Sequence, residues 1–197
     1  MRGLGGARPD RGVILKIVIV GCGRVGASVA EAYDRNGHDV ILLDIKTASF
    51  DRLPSTFGGR SLRGDGTDED VLRRAGAEGA DVFLAMTEGD NRNVMAAQLA
   101  NEALGIERVI AKINDPLRAK AYAELGIATL CRTGLMADAI DRYLGQSPSG
   151  LPGMLAPTGH HDAHEPAGAA PPVGAVSPSG MGPTSGTPAT PAATKEA

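Results

Sequence analysis

The residues best suited to chemistry lie in one glycine loop: Gly21, Cys22, Gly23, Arg24, Val25 and Gly26. In a Gly-x-Gly-x-x-Gly pattern, the first glycine permits a sharp turn and the second lets a pyrophosphate approach the backbone. The third lets a helix pack on the preceding strand. The start of that helix offers unpaired N–H groups and the positive end of the helix dipole. The loop therefore predicts a binding site for the phosphate groups of a ligand.

A carboxylate follows the loop at the spacing expected for ribose recognition. Asp44 stands 18 positions after Gly26. In dinucleotide-binding folds, an acidic residue at about this distance binds ribose hydroxyls. Because it would repel a 2′-phosphate, Asp44 favours NAD or an unmodified adenosine nucleotide over NADP, and the nearby Lys46 weakens that exclusion.

Arg24 places a positive charge in the first turn of the predicted helix. A cation there opposes the helix dipole, which costs roughly a few tenths of a kcal/mol unless an anion joins it. A terminal phosphate of a ligand would supply that anion. The alternative, an arginine that turns away into solvent, stays open from the sequence alone.

The two cysteines do not resemble a disulfide framework or a metal site. Cys22 lies inside the glycine loop and Cys131 follows a late predicted strand. We expect both to be buried, reduced thiols, with a redox role for Cys22 as the alternative.

Alternating strands and helices must position these residues. Strands are predicted at 13–20, 40–43, 61–63, 81–85, 108–113 and 128–130. With right-handed crossovers, this alternation predicts an α/β fold: a doubly wound, parallel, six-stranded Rossmann sheet in the order 3-2-1-4-5-6. Thr67, Asp115 and Thr133 are predicted to cap the helices that follow them.

Further candidate site residues follow the third, fourth and fifth strands: Asp65, Gly66, Thr67, Met86, Thr87 and Lys112. The ends of parallel strands line the crevice beside the nucleotide in such a sheet. We expect Asp65 to accept a hydrogen bond from an adenine amino group, and Thr67 to cap a helix rather than contact the ligand. Lys112 either contacts a phosphate or ribose or is a surface charge.

The composition divides the chain into three parts. Residues 1–12 are predicted to be a disordered leader, and residues 13–145 form the Rossmann nucleotide-binding domain. Residues 146–197 are rich in Pro, Gly, Ala, Ser and Thr and have no periodic apolar face, which predicts a disordered low-complexity tail. Its histidines, at 160, 161 and 164, are expected to be an incidental polar patch rather than a metal site.

The net charge of −3 provides no electrostatic footprint for nucleic acid. No apolar run is long enough to cross a bilayer, and the first 12 residues lack the apolar region of a secretory signal. A cytoplasmic protein that does not bind nucleic acid is therefore expected.

Several motifs together carry a family resemblance. They are the glycine loop, Asp44, the run Gly64-Asp65-Gly66-Thr67, the pair Met86-Thr87 and the pattern Asp90-Asn91-x-Asn93. Over residues 15–144 the chain resembles the N-terminal nucleotide-binding domain of the regulator-of-potassium-conductance family, as in TrkA-like subunits of Trk/Ktr potassium uptake.

The resemblance implies a regulatory subunit that binds NAD(H) or ATP/ADP and gates a membrane potassium transporter from the inner face of the cell membrane. It implies a homo-oligomer, either a dimer or a ring, or assembly with a second TrkA-like subunit. The glycine loop would hold the phosphates, with Arg24 at a terminal phosphate or at a neighbouring subunit's nucleotide. Helix 133–144 would cross between the subunits of a dimer. The second ligand-binding domain common in the family is expected to be missing, with the predicted tail in its place.

The alternative function is that of an NAD-dependent oxidoreductase. That reaction needs an acid or base and a substrate pocket, and Lys112 is the one basic candidate near the crevice. His38 precedes the second strand, at the opposite end of the sheet. Because a fold alone does not confer chemistry, a non-enzymatic regulator is expected.

Overall fold

The computed structural model describes residues 13–156. The predicted leader, and the part of the predicted tail that holds the histidines, lie outside the described residues. The strands are β1 (Lys16–Val20), β2 (Asp39–Asp44), β3 (Arg60–Arg63), β4 (Val82–Ala85), β5 (Val109–Ile113), β6 (Ala128–Cys131) and β7 (Met154–Leu155). The α-helices are α1 (Arg24–Arg35), α2 (Glu69–Ala75), α3 (Asp90–Glu102), α4 (Pro116–Glu124) and α5 (Arg132–Leu144), and a 3₁₀ helix covers Thr47–Arg52.

The sheet has the strand order β3-β2-β1-β4-β5-β6-β7, and its first six strands are parallel. This confirms the predicted α/β doubly wound Rossmann sheet and its strand order. The chain reverses its direction of travel across the sheet between β1 and β4. Ligands bind at such a switch point, outside the carboxyl ends of the strands.

β7 is a strand that the sequence did not predict. It pairs antiparallel with β6, with Thr129 opposite Leu155 and Leu130 opposite Met154. The backbone N–H of Cys131 also donates to the carbonyl of Gly153, at 2.6 Å. The Pro- and Gly-rich composition predicted disorder from residue 146, but the free edge of β6 offers backbone groups that a short strand can satisfy. The sheet therefore has seven strands rather than six.

Each face of the sheet buries its own apolar cluster. Helices α2, α3 and α4 cover one face, where Leu72, Phe83 and Val94 are buried. Helix α1 packs on the other face, against Ile19 and Leu42. Strands β1 and β2 are consequently buried on both sides, as their unbroken apolar runs predict. They hold the glycine loop and Asp44 at one rigid edge.

Two of the three predicted helix caps are wrong. Asp115 caps α4 as predicted, because its carboxylate accepts from the N–H groups of Leu117 and Arg118. Helix α2 is capped by Asp68 instead of Thr67, and the hydroxyl of Thr133 donates to the carbonyl of Asn114 at 2.8 Å instead of capping α5. In both cases a nearby acceptor outside the helix takes the hydroxyl. Over residues 13–156, no helix is both long enough and apolar enough to span a bilayer.

Candidate functional site

The glycine loop joins the end of β1 to the start of α1 and leaves no room for two side chains. Gly21 has φ of +106°, and a Cβ there would lie 2.8 Å from the backbone nitrogen of Thr87. A Cβ on Gly26 would overlap the carbonyl oxygen of Gly21. The first and third glycines are thus required by the backbone of the loop itself.

Gly23 differs from the other two glycines of the loop. A Cβ there would have no heavy atom within 4 Å, and the residue has φ of −78°, which any amino acid adopts. Gly23 is the N-cap of α1, and no side chain caps the helix there. The first turn of α1 contains no acidic residue. The helix terminus is therefore left for an external acceptor, and the space beside Gly23 fits an anion that approaches the backbone.

A cleft of about 560 Å³ opens at the carboxyl ends of β1, β2, β3 and β4. It brings together most of the predicted site residues: Gly21, Cys22, Gly23, Asp44, Asp65, Gly66, Met86 and Thr87. Residues that the sequence did not assign to the site also line it: Val20, Ile45, Lys46, Ala48, Ser49, Arg52, Gly64, Glu88, Gly89 and Arg92. Predicted residues outside its lining are Arg24, Val25, Gly26, Thr67 and Lys112.

Asp44 ties the glycine loop to the end of β2. One oxygen of its carboxylate accepts from the N–H of Cys22 and the other from the N–H of Lys46, both at 2.8 Å. Each oxygen keeps a lone pair for a further donor. The carboxylate can therefore accept ribose hydroxyls while it holds the loop in place.

Cys22 is a buried thiol. Its side chain is fully buried and its Sγ lies 3.1 Å from the carbonyl of Ser49. Burial, with a smaller contribution from the charge of Asp44, raises the pKa of the Cys22 thiol. Because the thiolate is the reactive form, this environment opposes a redox role. Cys131 is also buried, and neither cysteine forms a disulfide.

Thr67 donates hydrogen bonds to Asp65 and does not cap α2. Its N–H and its hydroxyl donate to the same oxygen of Asp65, at 3.0 Å and 2.8 Å. These two bonds, the backbone one first, lower the pKa of Asp65, so its carboxylate is held ionised at the rim of the cleft. Gly66 has a packing role, because a Cβ there would overlap the side chain of Val20.

Three cations line the cleft: Lys46, Arg52 and Arg92. None of the three has an ion-pair partner among residues 13–156. The lining also holds three acids, Asp44, Asp65 and Glu88, and the charge of Arg92 helps to lower the pKa of Asp65. Because the cations make no close ion pair, they keep N–H groups that can bind a phosphate. Of the three cations, Arg92 could have been identified from the sequence, because it places a positive charge in the first turn of α3, as Arg24 does in α1.

Lys112 is not a surface charge. It lies within β5 and only 9% of it is exposed. Burial and the nearby Arg132 lower the pKa of its ammonium group, and Glu88 and Asp90 oppose that shift. Its side chain stands beyond the lining of the cleft, so contact with a ligand stays a prediction.

We expect a Lys112→Met variant to be more stable than the wild type near neutral pH. The folded-state pKa of Lys112 lies below that of the unfolded chain, so burying the ammonium carries a penalty that is fully present below the folded pKa. The penalty fades as the pH rises toward the ordinary lysine value. Thermal unfolding should show a gain of about 2–4 °C at pH 7, the shift that corresponds to roughly 1 kcal/mol.

The gain should shrink as the pH rises toward the ordinary lysine pKa of about 10, because the wild type itself then loses the proton. Lys120→Met, at an exposed position in α4, is the matched control and should not show this trend. An equal or larger gain at high pH for Lys112→Met would contradict the assignment of the penalty to the buried charge.

The family model of the TrkA-N domain matches residues 17–133. The chain is 47% identical over 146 residues to a Trk system potassium uptake protein TrkA of Streptomyces coelicolor. That alignment covers 74% of this chain and 65% of the relative. The chain thus spans less than two thirds of the relative's length.

Solved structures share the fold. The TrkA-N domain of the inner membrane protein ybaL from Escherichia coli superposes with a TM-score of 0.59 at 18% identity, over 68% of this chain and 98% of that one. The Kef CTD of Shewanella denitrificans in its AMP-bound form superposes with a TM-score of 0.53 at 22% identity, over 68% of this chain and 84% of that one. At these identities the likeness extends to the fold.

Proposed function

The chain belongs to the TrkA-N domain family, and we propose that it is a nucleotide-binding regulatory subunit of a potassium uptake system. It binds NAD(H) or ATP/ADP and gates a membrane potassium transporter at the cytoplasmic face of the membrane. Two findings support a role in potassium uptake. They are the family match and the relative from Streptomyces coelicolor, which carries the name of a Trk system potassium uptake protein. Residues 13–145 are proposed as its nucleotide-binding domain.

The observation that carries nucleotide binding is the open N-terminus of α1 beside Gly23. The helix has no side-chain cap and no acid in its first turn, and it begins at the lining of the cleft. Three cations without ion-pair partners among the described residues line the same cleft, which suits phosphates. Asp44 stands at the end of β2, where it would take the ribose, and Arg24 stays proposed for a terminal phosphate.

A regulatory role fits the lining of the cleft better than catalysis does. An oxidoreductase needs a proton donor or acceptor beside the reacting atoms. Lys112, the basic candidate, stands outside the cleft lining, and Cys22 is buried with a raised pKa. His38 accepts from the N–H of Leu15 at the opposite end of the sheet, at 3.2 Å. We therefore propose a sensor in which the nucleotide is the signal.

Calorimetric titration of the purified chain with ADP, ATP, NAD and NADH tests this proposal. A sensor that distinguishes these nucleotides must bind at least one of them in clear preference to the others. No binding by any of the four, or equal binding by all of them, would contradict the proposal. Gating is tested by rubidium uptake through a Trk-type membrane subunit in potassium-uptake-deficient cells, with and without the chain.

Self-association is proposed to use helix α5. Four apolar side chains form one stripe on it at helical spacing: Met136 (59% exposed), Ile140 (55%), Tyr143 (90%) and Leu144 (59%). Gly134 is the one buried residue of the helix. An apolar stripe of this kind on a helix is stabilised when a second apolar surface covers it. A second copy of this helix, in a dimer or ring, or the helix of a second TrkA-like subunit, would provide that surface.

An Ile140→Asp variant is expected to dissociate the proposed oligomer. A charge in the centre of the stripe would have to be buried without a partner, which should weaken association by about a hundredfold or more. Sedimentation velocity across a range of concentrations measures the change. Val13→Asp, which replaces an apolar residue that is 80% exposed outside every helix and strand, is the control and should assemble as the wild type does. If Ile140→Asp associates as tightly as Val13→Asp, α5 is not part of the interface.

A further inference from the structure

Asn93 is a buried polar residue that the functional assignments above do not use. It stands in the first turns of α3 and is fully buried beneath the wall of the cleft. Its Oδ1 accepts from the N–H and the hydroxyl of Thr87, at 2.8 Å and 2.6 Å. Its Nδ2 donates to the carbonyls of Thr87, at 3.0 Å, and of Lys112, at 2.7 Å. The amide is therefore saturated, with two donors on its oxygen and an acceptor for each N–H.

The four hydrogen bonds of Asn93 do not cap α3, the helix that carries this residue. The N-cap of α3 is Gly89, which makes no side-chain cap, and the bonds of Asn93 lead to the ends of β4 and β5 instead. Those strand ends lie on one side of the switch point. Asn93 thus fixes the segment after β4 relative to β5, which a helix cap would not do.

The segment held by Asn93 lies directly against the glycine loop. The position of a Cβ on Gly21 is 2.8 Å from the nitrogen of Thr87 and 2.9 Å from the carbonyl carbon of Met86. Met86 and Thr87 line the cleft. The N–H of Thr87, which donates to Asn93, is therefore also the backbone group that lies nearest to Gly21. The position of Thr87 sets the distance between the segment after β4 and the glycine loop.

We propose that Asn93 is a positioning residue for the nucleotide and acts through Thr87. It holds the wall after β4 at the distance from the glycine loop that the phosphates require, without touching the ligand itself. This inference rests on the proposed nucleotide-binding function.

The test is a double-mutant cycle on ADP affinity, with the variants Asn93→Ala, Thr87→Val and the pair together. We expect ADP to bind about tenfold or more weakly to Asn93→Ala, and to lose less affinity in Thr87→Val, which removes the hydroxyl bond but keeps the two bonds to the backbone of Thr87. If Asn93 acts through Thr87, the double variant should lose little more than Asn93→Ala alone, because the hydroxyl of Thr87 then has no amide left to bind. Additive losses would mean that Asn93 acts by another route and would overturn the inference.

Asn101→Ala is the matched control. Asn101 is another amide of α3, and its Nδ2 donates to the carbonyl of Ile106 at 3.0 Å, away from the cleft. We expect its ADP affinity to match that of the wild type even if its thermal stability falls. Should Asn93→Ala fail to fold, Asn93→Leu takes its place, since it nearly keeps the buried volume and removes all four bonds, and unchanged ADP affinity in that variant overturns the inference.

The outcomes separate this inference from the proposed function. If the wild type binds ADP and a folded Asn93→Ala variant binds it equally well, the positioning role is wrong and nucleotide binding stands. If the wild type binds none of the four nucleotides, both proposals fail.

Discussion

A Gly23→Ala variant is expected to fold as stably as the wild type and to bind ADP about 10- to 100-fold more weakly. A Cβ at this position meets no protein atom within 4 Å, and the backbone of Gly23 is in a region open to every residue. The methyl group would occupy the place where a phosphate approaches the helix terminus. Loss of one charge-assisted hydrogen bond, at about 1.5–3 kcal/mol, accounts for that range.

Two measurements on the same protein decide this prediction. Thermal unfolding should differ from the wild type by no more than about 1 kcal/mol, since alanine is a slightly poorer N-cap and also restricts the unfolded chain. Calorimetric titration with ADP should show the loss of affinity. Undiminished affinity in a stable Gly23→Ala protein would mean that no phosphate approaches this backbone, and the ligand would have to lie elsewhere in the cleft.

A Gly26→Ala variant should show the opposite pattern, with a stability loss of about 3 kcal/mol. In most helices a glycine-to-alanine change stabilises by about 0.5–1 kcal/mol. Here the added Cβ would overlap the carbonyl oxygen of Gly21, which is backbone and cannot rotate away. Either α1 moves off β1 or the turn at Gly21 opens, and both changes damage the core.

Urea unfolding of Gly26→Ala beside Gly23→Ala gives the comparison, because the two positions share one loop and receive the same methyl group. We expect the midpoint of Gly26→Ala to fall well below that of the wild type, and its ADP affinity to fall as well. A Gly26→Ala protein as stable as the wild type would show that the loop relaxes around the methyl group and that the third glycine is not required for packing.

The glycine loop and the strand order could be predicted from the sequence because their signals are local. The apolar run of β1, the three glycines and the apolar spacing of α1 follow each other within about one βαβ unit. Asp115 and Pro116 likewise act on the next turn of the chain, and that cap is confirmed. Thr67 and Thr133 met the same local pattern but failed as caps, since Asp65 and Asn114 offered their hydroxyls acceptors outside the helix.

The remaining parts of the site depend on residues that are far apart in the chain. Arg52 is the last residue of a short 3₁₀ helix whose sequence carries no phosphate motif, and only the packing of that helix beside the cleft brings Arg52 to its lining. Asn93 had appeared as part of a motif without a role, because its partner Lys112 stands 19 residues away. β7 was missed because its two residues pair only once β6 presents a free edge.

By itself, the sequence determined that strand, glycine turn and helix follow one another and that an acid closes the second strand. These are consequences of backbone sterics and apolar periodicity, which act between near neighbours. Only the tertiary structure decided that packing requires glycine at positions 21 and 26 and leaves open space beside Gly23. It also decided which cations have no ion-pair partner within residues 13–156 and where the amide of Asn93 finds its hydrogen-bond partners. Such contacts form between separate elements, so their geometry exists only after the sheet has assembled.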